Sequence, residues 1–221
     1  MLTLKNIFYL AEIIALLIGC YYYKFLPKKT GKVLLFLLLY VICNESIGIY
    51  FNRVLHIPNV ELYNISTAIE FLVYYYLFTQ FFKIALNQKI ANWLIIIYPL
   101  IWFINICFIQ GFHQFHTYTL TIGSISIIIL SCLYFAEFLT FTSKTKITHL
   151  PAFWLCTGLL FFYSGILIND FFIMDTHAIK FDIINLSLYR IISNVLNVIL
   201  YFTYIMFFRC YQQNKNTRPF F

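Results

Sequence analysis

The stretch VLLFLLLYVICNESIGIYF, residues 33–51, decides the fold. It holds a single ionisable side chain, Glu45, and stands between Lys32 and Arg53. A helix crossing the hydrocarbon core of a bilayer needs about 20 mostly apolar residues, and this run has that length and character. It is continuous and never alternates with period two, as a lumen-facing barrel strand would. Six further runs of the same kind lie at 6–23, 63–82, 92–110, 118–140, 152–172 and 187–208. The breaks between the seven carry charge, Pro or Gly: Lys24 to Lys32, Arg53 to Pro58, Lys83 to Lys89, Gly111 to His116, Lys144 to Pro151 and Asp175 to Asp182. The expectation is an all-α integral membrane protein, one domain over residues 1–221, folded as a bundle of seven transmembrane helices.

Composition agrees. The chain is 62% hydrophobic and 10% charged, with mean hydropathy +0.83. Soluble domains carry about 25% charged residues, so lipid must solvate most of this surface. The net charge of +7 is no nucleic-acid footprint, because the basic residues sit in short loops between apolar runs. Six cysteines (20, 43, 107, 132, 156 and 210) lie within or at the ends of those runs, without CxxC or metal spacing, and read as small apolar residues. No cofactor motif is present, and none is expected to be bound.

Orientation follows from Lys and Arg. The first, third and fifth loops and the tail hold Lys24, Lys28, Lys29, Lys32, Lys83, Lys89, Lys144, Lys146, Arg209, Lys215 and Arg218. The N-terminus and the remaining loops hold only Lys5, Arg53, Lys180 and Arg190. The positive-inside rule puts the N-terminus outside and the C-terminus in the cytoplasm. Leu17-Ile18-Gly19-Cys20 has the form of a lipoprotein cleavage box, but cleavage there would carry four lysines outward and leave Glu12 in the apolar core of a signal peptide. The first run is therefore expected to be a transmembrane helix.

Ionisable groups inside such helices cost about 2.5–3.5 kcal/mol each on insertion scales and mark function by default. Glu12, Glu45, Glu70, Asp170 and Arg190, with Asn44, Asn169, Asn194 and Asn197, fall toward the outer side of the expected topology; Glu137 falls toward the cytoplasm. Arg190, Asn194, Asn197, Tyr201 and Tyr204 form one helical stripe, and Tyr63, Thr67, Glu70 and Tyr74 form another. These predict an outward-facing polar pocket of Glu12, Asn44, Glu45, Glu70, Asp170, Arg190, Asn194 and Asn197, in which Arg190 pairs with an acid. Its ligand would be a small anionic or zwitterionic molecule, a lipid or a proton. The competing reading is that these side chains only tie helices together, at roughly 0.6 kcal/mol per contact.

Smaller features carry expectations of their own. Pro99 is expected to kink the fourth helix, and Gly158 and Gly165 to form a close-packing face on the sixth. Trp93 and Trp154 read as interfacial anchors that open their helices. His113 and His116 suit a metal clamp by type, yet no Cys or acid completes the set, and loop histidines such as His56 and His177 read as solvated. Tyr163-Ser164-Gly165 lacks the first glycine of a rhomboid protease motif, and no histidine in a span can activate Ser164. The last run has no lysine for retinal. No phosphate loop, HExxH or nucleotide fingerprint occurs.

Two resemblances remain. Asn44-Glu45-Ser46 and Gly158-Leu-Leu-Phe161 through Asn169-Asp170 resemble signatures of the lysoplasmalogenase-type membrane hydrolases, which would imply lipid hydrolysis. The chain departs from them at Gly165 and in its span count. Tyr63-Asn64-Ile65 through Ile69-Glu70-Phe71-Leu72, and Phe153-Trp154 through Gly158-Leu159-Leu160-Phe161 with Ser164-Gly165, resemble small bacterial seven-helix proteins akin to the sensor modules of membrane histidine kinases. That resemblance implies a sensor or signalling subunit in the bacterial inner membrane, non-enzymatic itself, with a cytoplasmic signalling protein as partner, since residues 209–221 are too few for a kinase. A third expectation is a small proton-coupled transporter, for which Asn44-Glu45-Ser46-Ile47 and Ile166-Leu167-Ile168-Asn169-Asp170 give a faint repeat.

Overall fold

The computed structural model describes residues 7–141, 146–176 and 183–217, and for 7, 170–176, 183–190 and 214–217 the backbone alone. Every regular element among them is helical. The α-helices are α1 (Ile7–Tyr21), α2 (Gly31–Tyr50), α3 (Val60–Phe81), α4 (Ala85–Ile104), α5 (Thr117–Thr140), α6 (Pro151–Thr176) and α7 (Ile183–Thr217). One helix falls on each apolar run.

Five helical stretches are long and apolar enough to cross a membrane: Gly31–Leu55, Ala85–Ile109, Thr117–Thr140, Pro151–Asn169 and Ile191–Gln213. Helices of this kind mark a multi-pass membrane protein. The shorter Phe8–Tyr21 is apolar too. Helix α3 has the length, with 22 residues, but Asn64, Glu70, Gln80 and three successive tyrosines, Tyr74 to Tyr76, dilute its apolar character. Large apolar side chains such as Phe36, Ile96, Phe108, Leu139 and Phe202 lie on the surface, where only lipid makes them harmless.

Boundaries depart from the sequence reading at several places. Helix α4 begins at Ala85 rather than near 92, so the break read as Lys83 to Lys89 is a short turn. Trp93 consequently sits two turns inside α4, exposed, and does not open it. The helix runs through Pro99 to Ile104. Both α2 and α4 then widen into a π-helical turn, Phe51–Leu55 and Asn105–Ile109, so Arg53 belongs to the helical rod and not to the loop. His56, in the left-handed region at φ 54°, closes the first, and Gly111 at φ 73° follows the second. Helix α7 continues past 208 to Thr217 and contains neither Gly nor Pro along its length, the two residues at which helices usually bend.

The helices group into two compact units, one of α2–α5 and one of α1, α6 and α7. In the first, the core is aromatic. The Phe71 ring lies 5.3 Å from that of Tyr98 and 6.2 Å from Tyr75, while Tyr75 and Tyr98 meet edge to face at 5.7 Å. Gly123 on α5 makes this possible, because a Cβ there would collide with the Phe71 ring. The phenols are satisfied on α5: Tyr75 Oη lies 2.6 Å from Ser126 Oγ, and Tyr98 Oη donates to the Thr119 carbonyl at 3.3 Å.

In the second unit α6 packs on α7 through the two glycines expected to form a close-packing face. Gly158 receives Thr203, and Gly165 receives the Leu196 methyls. At one end of this pair the Thr148 carbonyl accepts from Trp154 Nε1 at 2.8 Å and from Cys210 Sγ at 3.4 Å. Trp154 lies in the first turn of α6 and ties it to the preceding 3-10 turn. Helix α1 also packs on α7. The cysteines are all unpaired, with Cys156 and Cys210 buried.

Candidate functional site

Two of the acids singled out in the sequence are brought together on α2 and α3. Gly48 leaves a gap one turn beyond Glu45, and the Tyr63 phenol fills it: a Cβ at Gly48 would stand 2.9 Å from that hydroxyl. From this position Tyr63 Oη donates to Glu45 Oε2 at 3.0 Å. Asn59 Nδ2 donates to the Gly48 carbonyl at 3.2 Å and fixes the start of α3 against α2. Two turns along, Ser66 Oγ donates to Glu70 Oε1 at 3.2 Å. Glu70 lies within electrostatic reach of Glu45. Both acids are partly buried, with Asn44 and Ser66 fully so beside them.

Each carboxyl thus holds one hydroxyl donor. Among the described residues neither meets a Lys or Arg. A carboxylate has about four acceptor sites, so most of the hydrogen-bonding capacity of the pair remains open. Two acids on adjoining helices, half out of water, can each take up a proton or accept an ammonium group.

Next to this cluster, Asn64 clasps the α4–α5 loop. Its Nδ2 donates to the carbonyls of Phe112 (3.3 Å) and Gln114 (2.8 Å), and its Oδ1 accepts from the His116 N–H at 3.0 Å. Trp102 Nε1 donates to the Asn64 carbonyl, and Gln110 ties Asn105 to Thr117. The two loop histidines separate. His116 is buried with Nε2 on the Gly111 carbonyl, whereas His113 is exposed and pairs through Nδ1 with Glu61 Oε1 at 2.7 Å. That bond, on a carboxyl outside the apolar span, holds Glu61 below its ordinary value of 4.5. No group of three metal-ligating side chains occurs among the described residues.

The far end of this unit holds a site that sequence reasoning did not find. Glu137, buried on α5, accepts from the backbone N–H groups of Lys83 and Ile84 and, at 3.0 Å, from Asn87 Nδ2. It closes the N-terminus of α4 from fifty residues away, and Gln88 completes the turn by donating to the Thr79 and Phe82 carbonyls. The acid was visible as an anomaly in its run; its partners, in a segment read as loop, were not.

The other predicted site residues belong to the second unit. Glu12 is fully buried on α1. Asn169 Nδ2 donates to Ser193 Oγ at 3.1 Å and so joins α6 to α7, while Asn197 Nδ2 turns back to the Ser193 carbonyl. Asn194 and Asn197 are half-buried, with Tyr201 and Tyr204 buried further along the same stripe. The side chains of Asp170 and Arg190 lie outside the described residues, and with them the expected Arg190–acid pair; His177 lies outside them altogether. No family model matches the chain, and no significant similarity to a curated protein or to a solved structure is found.

Proposed function

We propose that this protein is a ligand-responsive signalling subunit of the bacterial inner membrane. It crosses the bilayer seven times with its N-terminus outside and acts through a separate cytoplasmic partner. The observation that carries the reading is the Glu45–Tyr63–Ser66–Glu70 cluster. Intramembrane acids are costly, and among the described residues Glu45 and Glu70 hold only the hydroxyls of Tyr63 and Ser66, an environment in which a proton or a cation would be taken up. In the proposed topology the cluster faces outward, and its ligand is a proton or the ammonium end of a zwitterion.

The same acid pair favours a second reading, a small proton-coupled transporter. The two differ in what leaves the site: a conformational signal to a partner, or a proton to the other side. Purification of the C-terminally tagged protein from its own membranes in mild detergent, with mass spectrometry of what accompanies it, separates them. A stoichiometric signalling protein is expected. Recovery of the chain alone, with proton flux in proteoliposomes that Glu70→Gln abolishes, would replace the sensor reading by transport. In the sensor, Glu45→Gln with Glu70→Gln should silence the response and leave the partner bound; loss of the partner instead would make the acids structural.

A further inference from the structure

A second polar feature lies away from the acid cluster, in the unit of α1, α6 and α7. The C-terminal ends of α1 and α7 enclose a cleft of about 430 Å³ lined by Ile18, Tyr21, Tyr22, Ile205, Arg209 and the pair Gln212 and Gln213. Its lining contains no acid. Arg209 is exposed and, among the described residues, forms no ion pair. The apolar stretch of α7 ends at Gln213 and α1 ends at Tyr21, so the mouth of the cleft lies at the edge of the hydrocarbon. Lys24 stands beside it, in a 3-10 turn (Tyr23–Phe25) that packs on α7.

The lining is graded. Gln212 and Gln213 come first, Arg209 lies one turn deeper, and Ile205 another turn below, while Tyr21 and Tyr22 stand one turn above Ile18. Amide, guanidinium and phenol donors therefore sit at the water level, and aliphatic walls sit below them. A soluble anion would use only the upper half. An amphiphile with a phosphate head and an acyl chain would use both.

We infer that this cleft binds the phosphodiester of an anionic glycerophospholipid, with Arg209 forked onto the phosphate, Gln212 and the tyrosine hydroxyls donating around it, and an acyl chain against Ile18 and Ile205. Guanidinium matches phosphate in a two-bond geometry that ammonium cannot, and basic clefts between helices at the membrane edge favour anionic head groups. The volume lies within the range of ordinary ligand sites, about 300–1,000 Å³.

Native mass spectrometry of the full chain, released from nanodiscs holding equal phosphatidylglycerol and phosphatidylcholine, tests it. One phosphatidylglycerol per chain should be retained in preference to phosphatidylcholine, and Arg209→Gln should lower that retention roughly tenfold, as loss of charged hydrogen bonds does. Gln212→Leu, which keeps the positive charge, should weaken it less, and decides the matter alone if Arg209→Gln does not fold. Equal retention of both lipids, or no change in either folded variant, would overturn the inference. Displacement by millimolar inorganic phosphate would overturn the lipid assignment and leave a free-phosphate site.

Discussion

A carboxylate near the first turn of a helix meets N–H groups that have no partner within the helix, together with the positive end of its dipole. Glu137 occupies that place for α4. Replacing it with Ala strands two backbone donors and the Asn87 amide in a buried setting, and an unfolding free energy lower by about 1–3 kcal/mol is expected. Thermal unfolding in detergent reads it, and Glu137→Gln, which keeps one acceptor oxygen, should lose less. Glu61 works in the open. Its carboxyl ionises more readily in the folded chain than in the unfolded one, so its bond to His113 stabilises the α4–α5 loop throughout the range above pH 4.5. That contribution is lost as the pH falls through the depressed value. Exchange protection of amides 112–115, corrected for intrinsic rate, should drop between pH 7 and pH 3. Protection that stays flat would show the pair to be incidental. At this scale the sequence pointed to Glu45, Glu70 and Glu137 for one physical reason, a charge inside an apolar run. It did not separate their roles, because a cap and an open acid differ only in what lies across the fold.

Among the elements, contact distance between helices is set by what one of them lacks. Gly158 has no side chain where Thr203 of α7 arrives, and Gly123 has none where the Phe71 ring lies. Gly158→Ala should cost about 1–3 kcal/mol as overpacking does. Thr203→Ala in the same chain should return part of it, since the hydroxyl and methyl of Thr203 are then gone and only its Cβ, 2.9 Å from the added one, has to give way. Equal instability of the single and double variants in detergent melts would mean that the helices do not meet there. The apolar runs located every helix, because the requirement for about 20 apolar residues is read from consecutive positions. Helix ends were less legible. The start of α4 depends on a residue fifty positions later, and the π-helical turns that extend α2 and α4 leave no mark on hydropathy.

Across the whole molecule, the surplus of apolar residues is enough by itself to make the class of protein plain. The meeting of Glu45 with Tyr63, by contrast, depends on how α2 and α3 are rotated about their axes, which no single run encodes. Sidedness rests on the distribution of Lys and Arg. A green fluorescent protein fused after Phe221 should fluoresce, and alkaline phosphatase placed after Gln114 should be active; the opposite pair of results would invert the topology. One element already described bears on how such a molecule can act. Helix α7 has 35 residues, about 52 Å at 1.5 Å each, against a hydrocarbon core of about 30 Å. With no glycine or proline to serve as a hinge, it behaves as a torsion shaft. A twist applied near Asn194 would be carried along the rod to Arg209 and Gln212 instead of being taken up at a bend.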